Sequence, residues 1–258
     1  MTDLRWNDSI RPPATTTDAR LELAAVCRLV AREGMAPIST ARLAARDPEQ
    51  AGIYLVNPGG LMLEEICASN LIAVDRDGVR VKDGLPEPDS GALALVLASL
   101  EAKPNAAAAA QVATMAGSVV ASLRGGLQPM TQTAFMFHGA IGMHDWDPTA
   151  KADFLREQIA AEIAENYALL VRGRGLLVTG DTLAQTWKLL FFLDKCCRSQ
   201  IDAMAAARAT GKPLTIPSVD VVDHAVRQSR AFVSHSRFVA DWPSFLDQLD
   251  REDRSYRA

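Results

Sequence analysis

The side chains best suited to acid–base or metal chemistry are the four histidines, and two of these lie close together in the chain. His138 and His144 are six residues apart, and residues 144–147 read His-Asp-Trp-Asp, which has the composition of a cluster of metal ligands. An imidazole titrates near neutral pH, so either histidine is also a candidate general acid or base. His224 and His235 lie among arginines near the C-terminus, where surface or inter-subunit contacts are the simpler interpretation.

Common catalytic motifs are missing from the sequence. It contains no Gly-x-Ser-x-Gly motif, and residues 173–175, Gly-Arg-Gly, fit neither a P-loop nor a dinucleotide-binding loop because the lysine and the strand–loop–helix context are absent. Cys196 and Cys197 fall within a helical pattern among apolar residues, where packing is the simpler role. The adjacent acids Glu64 and Glu65 are typical of the polar start of a helical turn. These residues therefore carry no functional prediction.

Composition excludes several classes of function. The chain has 258 residues, 48% hydrophobic content and a formal net charge of −4, which predicts one large domain without a surface for nucleic acid. It shows no signal-peptide pattern and no apolar stretch long enough to cross a membrane, so we expect a cytoplasmic protein without a membrane partner. The four cysteines form no CxxC pair, and we expect reduced thiols.

The helices and strands that position these residues can be predicted from the sequence pattern. We predict a flexible N-terminal arm over residues 1–17 and a single domain over 18–258. The domain opens with an amphipathic helix that Thr17 or Asp18 caps and Gly34 ends. Strands are predicted over residues 53–56 and in a hairpin of 71–74 with 79–81. The alanine-rich residues 106–123 fit either a helix or a buried strand followed by a helix.

The second half of the chain has clearer signals. A helix over residues 150–167, preceded by Asp147 as its cap, is expected to lead into a strand over 168–171. After the Gly-Arg-Gly turn and a strand over 176–178, a long helix capped by Asp181 or Thr182 runs to about Thr210, where Gly211 ends it. Strands interspersed with helices indicate an α/β or α+β domain with a central sheet covered by helices.

Four stretches, residues 57–78, 128–146, 169–200 and 238–258, together resemble the class II aldolase/adducin family. The similarity runs in order from about residue 18. It implies an α/β protein with a three-layer α/β/α class II aldolase-like fold and a central, mostly antiparallel sheet. It also implies a homo-oligomer, with a tetramer favoured and pockets at subunit boundaries. The enzymes of the family use a zinc-type divalent metal held by three histidines.

The resemblance places those histidines on residues that cannot supply them. The family's His-x-His pair falls on Gln111 and Ala113, and its third histidine falls on Arg174. An arginine cannot be deprotonated to become a ligand, so we expect neither the family's metal nor another cofactor. The glutamate that the family's lyases use as a base has no match around residues 90–93. The phosphate-gripping positions differ at Pro37 and at Gly59 and Gly60, which disfavours a phosphorylated sugar substrate.

A metal-free pocket for a small anionic or keto substrate is the resulting hypothesis. A guanidinium at position 174 can hold a carboxylate with two hydrogen bonds or stabilise an enolate-like oxyanion. The alternative is that Arg174 merely fills the space that the metal left. The predicted site has Arg174, His138 and His144 as catalytic residues, and Gln111, Gln132, Asn57 and Ser39 as substrate-binding residues.

Two classes of function remain open at this point. In the first, the protein is an enzyme of the lyase, isomerase, decarboxylase or cyclase type that works without metal on a carboxylated or keto substrate, for example in specialised metabolism. In the second, it is a pseudoenzyme with the aldolase-like fold, which acts as a binding or assembly subunit.

Overall fold

A seven-stranded sheet forms the centre of the molecule. The computed structural model describes residues 12–36, 40–85, 87, 90–233 and 236–258. The strands are β1 (Arg42–Arg46), β2 (Tyr54–Val56), β3 (Ile72–Val74), β4 (Ala108–Val112), β5 (Ile141–Asp145), β6 (Ala168–Arg172) and β7 (Gly175–Gly180). They lie in the order β3-β2-β1-β4-β7-β6-β5, and every neighbouring pair is antiparallel except β5 and β6. The predicted mostly antiparallel sheet is confirmed.

Helices cover both faces of this sheet. They are α1 (Thr16–Arg32), α2 (Ser90–Ala102), α3 (Met115–Ser122), α4 (Gln132–Phe135), α5 (Ala152–Ile163), α6 (Leu183–Thr210), α7 (Val219–Val233) and α8 (Trp242–Glu252). Short 3-10 turns occupy Leu63–Glu65, Ser236–Val239 and Arg254–Arg257. Helices α2 and α5 pack on one face, which we call the α2 face, and α1, α3 and α6 pack on the other. The structure therefore has the predicted three layers.

Local signals explain where several of these elements begin and end. Thr182, one of the two predicted caps, begins α6 by accepting a hydrogen bond from the Gln185 amide, and Gly211 ends the helix with φ of 66°, as predicted. Helix α1 begins at Thr16, because the Thr15 hydroxyl accepts a hydrogen bond from the Asp18 amide. The cap is therefore Thr15 and not the predicted Thr17 or Asp18. Residues 1–11 of the predicted arm lie outside the described residues.

The alanine-rich segment is a buried strand followed by a helix, which decides between the two interpretations of its sequence. All five residues of β4 are buried, and Thr114 then caps α3 by accepting a hydrogen bond from the Gly117 amide at 2.9 Å. Small side chains suit a central strand that is covered on both faces. Among the residues that the structure describes, no helix combines the length and apolar character needed to cross a membrane.

Candidate anion-binding site

The turn between β6 and β7 presents Arg174 at the end of these two strands. Its flanking residues Gly173 and Gly175 have φ of 77° and 93°, which only glycine adopts without strain. Gly175 also lies against β4, since a Cβ built there would be 2.5 Å from the carbonyl oxygen of Val112. The main chain of the turn is therefore fixed against the neighbouring strand, and the base of the Arg174 side chain is fixed with it.

Gln111 holds the same turn by a hydrogen bond. It is buried on β4, on the α2 face, and its Nε2 donates to the carbonyl oxygen of Arg174 at 2.6 Å. The structure thus brings together two of the predicted site residues, which are 63 positions apart in the chain. The contact uses the main chain of Arg174 and leaves the guanidinium available. Gln111 accordingly positions the turn in this structure.

The guanidinium of Arg174 lies between an aromatic ring and a glycine. Its central carbon is 4.5 Å from the ring centroid of Trp146, which is within the range of a cation–π interaction. On another side is Gly91 of α2, where a Cβ would overlap the Nη2 atom and come within 3.1 Å of the Trp146 ring. Arg174 is half-buried, and no carboxylate in the described ranges pairs with it.

A cavity of about 490 Å³ opens beside this guanidinium. This volume is in the range of small-molecule sites. Its apolar walls come from both helices of the α2 face and from the residue that follows β5. They are formed by Leu93, Ala94 and Leu97 of α2, Leu155 of α5, and Trp146. The cavity therefore has an apolar section next to the guanidinium of Arg174, and Arg76 and Arg156 line it as well.

The acids that line the cavity are engaged by other partners. Asp77 forms an ion pair with Arg156. Glu87 has a fully buried side chain that pairs with Arg80 at 2.6 Å and also accepts a hydrogen bond from the Gly59 amide. Asp147 is exposed, and its Oδ1 accepts hydrogen bonds from the amide and the hydroxyl of Thr149. None of these acids neutralises Arg174.

The electrostatic environment of the guanidinium favours an anion. Gly91 is the second residue of α2, a helix of 13 residues, and the N-terminal end of a helix carries a partial positive charge. Arg174 places a full positive charge beside that end. Within the described part of the chain no acid compensates either charge. A bound anion would interact favourably with both at once.

His144 lies on the same face of the sheet but does not line the cavity. It is buried on β5, and its Nδ1 is 2.8 Å from Oε2 of Glu162 on α5. Burial raises the pKa of the Glu162 carboxyl, although the neighbouring His144 opposes that shift. The Nε2 of His144 has no hydrogen-bond partner among the residues that the structure covers. These contacts hold β5 against α5. Neither of them brings His144 into contact with the cavity beside Arg174.

Two other predicted residues lie far from Arg174. His138 is exposed in the turn that precedes β5, whereas Arg174 and Trp146 lie at the opposite end of that strand. Gln132 is the exposed first residue of α4, which packs on the face opposite the α2 face. The structure therefore does not join His138 and Gln132 to the Arg174 cavity.

Asn57 has contacts typical of a structural role. It is fully buried, its Oδ1 accepts from the Leu43 amide at 2.8 Å, and its Nδ2 donates to the Ala41 carbonyl at 3.0 Å. Both ends of its side-chain amide thus hold β1, which the predicted substrate-binding role did not anticipate. Ser39 lies outside the described residues.

Two residues beside Arg174 and one beside Gln111 were not among the predicted site residues. Trp146 and Gly91 contact the guanidinium directly. Arg42 of β1 is the cross-strand neighbour of Gln111, and it is only 1% exposed. Trp146 stands two positions after His144, so the His-Asp-Trp-Asp stretch does contain a site residue, but not for the metal chemistry that its composition suggested. Gly91 and Arg42 have no distinguishing local signal.

The side chains that the resemblance assigns to the family's metal position do not fit a three-histidine metal centre. The Gln111 Nε2 is a donor that already binds a carbonyl, Ala113 has no donor atom, and Arg174 is a cation. Elsewhere in the described ranges, no three His, Cys, Asp or Glu side chains lie close enough to hold a metal ion. His138 and His144 thus form no such cluster with the acids near them.

A three-layer α/β/α fold with the turn of Arg174 at the end of a mostly antiparallel sheet defines a protein of the class II aldolase type. Residues 21–201 match the family described as Class II Aldolase and Adducin N-terminal domain, and the chain belongs to this family.

Similar proteins cover from 72% to 96% of the chain. A candidate aldolase class 2 protein from Caulobacter vibrioides is 29% identical over 92% of this chain and 91% of its own length. The decarboxylase NovR from Streptomyces niveus is 30% identical over 72% of this chain and 67% of its own. The crystal structure of an aldolase II superfamily protein from Pseudomonas syringae has a TM-score of 0.86 at 27% identity, and the match covers 96% of this chain and 98% of that one.

Proposed function

We propose that the protein is a metal-independent enzyme that binds a small carboxylated or keto substrate in the cavity beside Arg174. The observation that carries this proposal is the half-buried guanidinium, which has no ion-pair partner in the described chain and lines a cavity of about 490 Å³. A carboxylate is the natural bidentate partner of such a group. A lyase, isomerase, decarboxylase or cyclase reaction fits this site, since each can proceed through an oxyanion that a fixed cation stabilises.

The comparisons give this interpretation partial support. One relative carries the name of a decarboxylase, a reaction class whose substrates have a carboxylate. The site residues at the family's metal position argue for chemistry without the three-histidine metal. Arg174 would hold the substrate and stabilise negative charge, Trp146 would orient the guanidinium, and Gln111 would keep the turn in place.

Protection from arginine modification tests the binding claim directly. Phenylglyoxal, which reacts with guanidinium groups, is applied to chelator-treated protein with and without pyruvate, and each arginine is followed by peptide mass spectrometry. We expect pyruvate to protect Arg174. Arg172, two positions before it in the chain, pairs with Asp145, and pyruvate should not change its labelling. Equal labelling of Arg174 in both samples would contradict the proposal. Protection that requires added zinc would contradict its metal independence.

A binding or assembly subunit is the second candidate. The observation that favours it is the position of the two predicted acid–base histidines, because His138 lies at the other end of β5 and His144 is buried away from the cavity. Steady-state turnover of a panel of 2-oxo acids separates the two candidates, since the subunit would bind a carboxylate without converting it.

The proposal includes a homo-oligomer, with a tetramer favoured, in the cytoplasm. Met115 and Val119 of α3 are one helical turn apart and are 82% and 41% exposed. They form an apolar face close to the turn of Arg174, and this face supports the proposed contact between subunits. Sedimentation velocity of the same protein measures its subunit number.

The four cysteines are free thiols, which supports the proposed cytoplasmic location because the cytoplasm keeps thiols reduced.

Gly91→Ala is expected to weaken ligand binding about tenfold while the protein stays folded. The added methyl group overlaps Nη2 of Arg174 and displaces the guanidinium, whereas alanine itself is favoured over glycine in a helix by about 1 kcal/mol. The measurement is calorimetric titration with pyruvate, repeated in an Arg174→Gln background. There the same substitution should have no further effect, because no guanidinium remains to be moved. An equal loss in both backgrounds would show that Gly91 acts independently of Arg174.

A further inference from the structure

We infer that the ligand of the Arg174 cavity is a carboxylate with an apolar body, such as an aromatic or branched aliphatic group, and not a polyhydroxylated sugar phosphate. This inference rests on the proposed function, because it names the substrate class of the same site. It follows from three properties of the cavity wall, namely its apolar area, its lack of hydroxyl, amide and imidazole side chains among the described residues, and the position of its half-buried cation.

The body of the cavity is apolar. Leu93, Ala94 and Leu97 follow one side of α2, Leu155 faces them from α5, and the ring of Trp146 lies between these residues and the guanidinium. A ligand carboxylate that reaches Arg174 therefore leaves the rest of the ligand against carbon. Burial of a phenyl or isobutyl group there contributes favourably in proportion to the area removed from water.

The wall offers few partners for sugar hydroxyls. Among its described residues, none has a hydroxyl, side-chain amide or imidazole. The carboxylates of Asp77 and Glu87 are occupied by Arg156 and by Arg80. Each hydroxyl buried without a partner lowers affinity, because its hydrogen bonds to water are lost without replacement. A polyol would thus lose affinity over most of its length.

The charges of the wall favour an anionic group at Arg174. Arg76 and Arg156 also line the cavity, but Arg156 pairs with Asp77 and Arg76 is exposed. Arg174 is half-buried and has no carboxylate partner in the described chain. A ligand carboxylate is therefore expected to bind at Arg174, where it is partly shielded from water.

Three probes and two variants test this inference. Phenylpyruvate, pyruvate and dihydroxyacetone phosphate are titrated calorimetrically into the full chain. We expect phenylpyruvate to bind at least tenfold more tightly than either of the other two. Ala94→Asn, which adds an amide to the partly exposed wall, should remove most of that advantage and change pyruvate affinity less than threefold. The matched control, Ala102→Asn at the far end of α2, should leave all three affinities unchanged.

The possible outcomes separate this inference from the proposed function. Binding of dihydroxyacetone phosphate as tight as that of phenylpyruvate overturns the substrate class. So does a phenylpyruvate advantage that Ala94→Asn leaves intact. If pyruvate and phenylpyruvate bind equally and both protect Arg174 from phenylglyoxal, the proposed function stands and the inference fails. If no probe binds, both fail.

Discussion

Arg174→Gln is expected to weaken the binding of a carboxylate probe by about 100-fold without unfolding the protein. A charge-assisted pair of hydrogen bonds between guanidinium and carboxylate contributes several kcal/mol when it is shielded from water. Arg174 is half-buried, so we expect a loss of about 3 kcal/mol, which corresponds to roughly 100-fold in Kd. Glutamine retains polarity and much of the length of the side chain, but it carries no charge.

The stability of the same variant provides a separate measurement. Loss of the cation–π contact with Trp146 costs about 0.5–1 kcal/mol, and removal of a positive charge from the N-terminal end of α2 offsets part of it. The melting temperature should therefore change little. Arg172→Gln is the matched control, because it removes an arginine two positions away that pairs with Asp145 at the surface. Equal carboxylate affinity in the two variants would exclude Arg174 as the anion-binding group.

Most of the fold could be predicted, because many of its helices and strands are marked in the sequence by caps, glycines or apolar runs. The cap at Thr182 and the glycine at 211 defined α6, and the apolar run before the Gly-Arg-Gly turn defined β6. Strands β1 and β5 were not predicted. Their sequences, Arg-Leu-Ala-Ala-Arg and Ile-Gly-Met-His-Asp, lack the alternation of a strand and contain one β-branched residue, Ile141, between them. They are extended because β4 and β6 pair with them.

Only two residues of the candidate site, Gln111 and Arg174, could be predicted together, because the family resemblance assigned both to one site. Gln111 and Arg174 meet because β4 and β7 are neighbours. Trp146 reaches Arg174 through the parallel pairing of β5 with β6, and Gly91 reaches it through the packing of α2 on the sheet. Neither contact has a local sequence signal. His138 and His144 were grouped by their spacing, but a turn and part of a strand separate them, and only His144 is buried.

Gly175→Ala is expected to lower the free energy of unfolding by about 2–5 kcal/mol. A φ of 93° is strained for any residue with a Cβ, which costs roughly 1–2 kcal/mol. The new methyl group would also lie 2.5 Å from the Val112 carbonyl oxygen and 2.9 Å from the Cα of Ala113. Both atoms belong to the main chain and cannot rotate away, so relief requires β4 and β7 to separate, at a further cost of about 1–3 kcal/mol.

Gly173→Ala separates the two contributions, because Gly173 has a similar φ of 77° but no described atom within 4 Å of the place that a methyl group would occupy. Its cost is expected to be the conformational strain alone, roughly 1–2 kcal/mol. Urea denaturation of both variants gives the comparison. A larger loss in Gly175→Ala shows that close approach to β4 holds the turn, and with it the Gln111 bond to the Arg174 carbonyl. Equal losses would mean that the turn is held by its own conformation, and that Arg174 does not depend on β4 for its position.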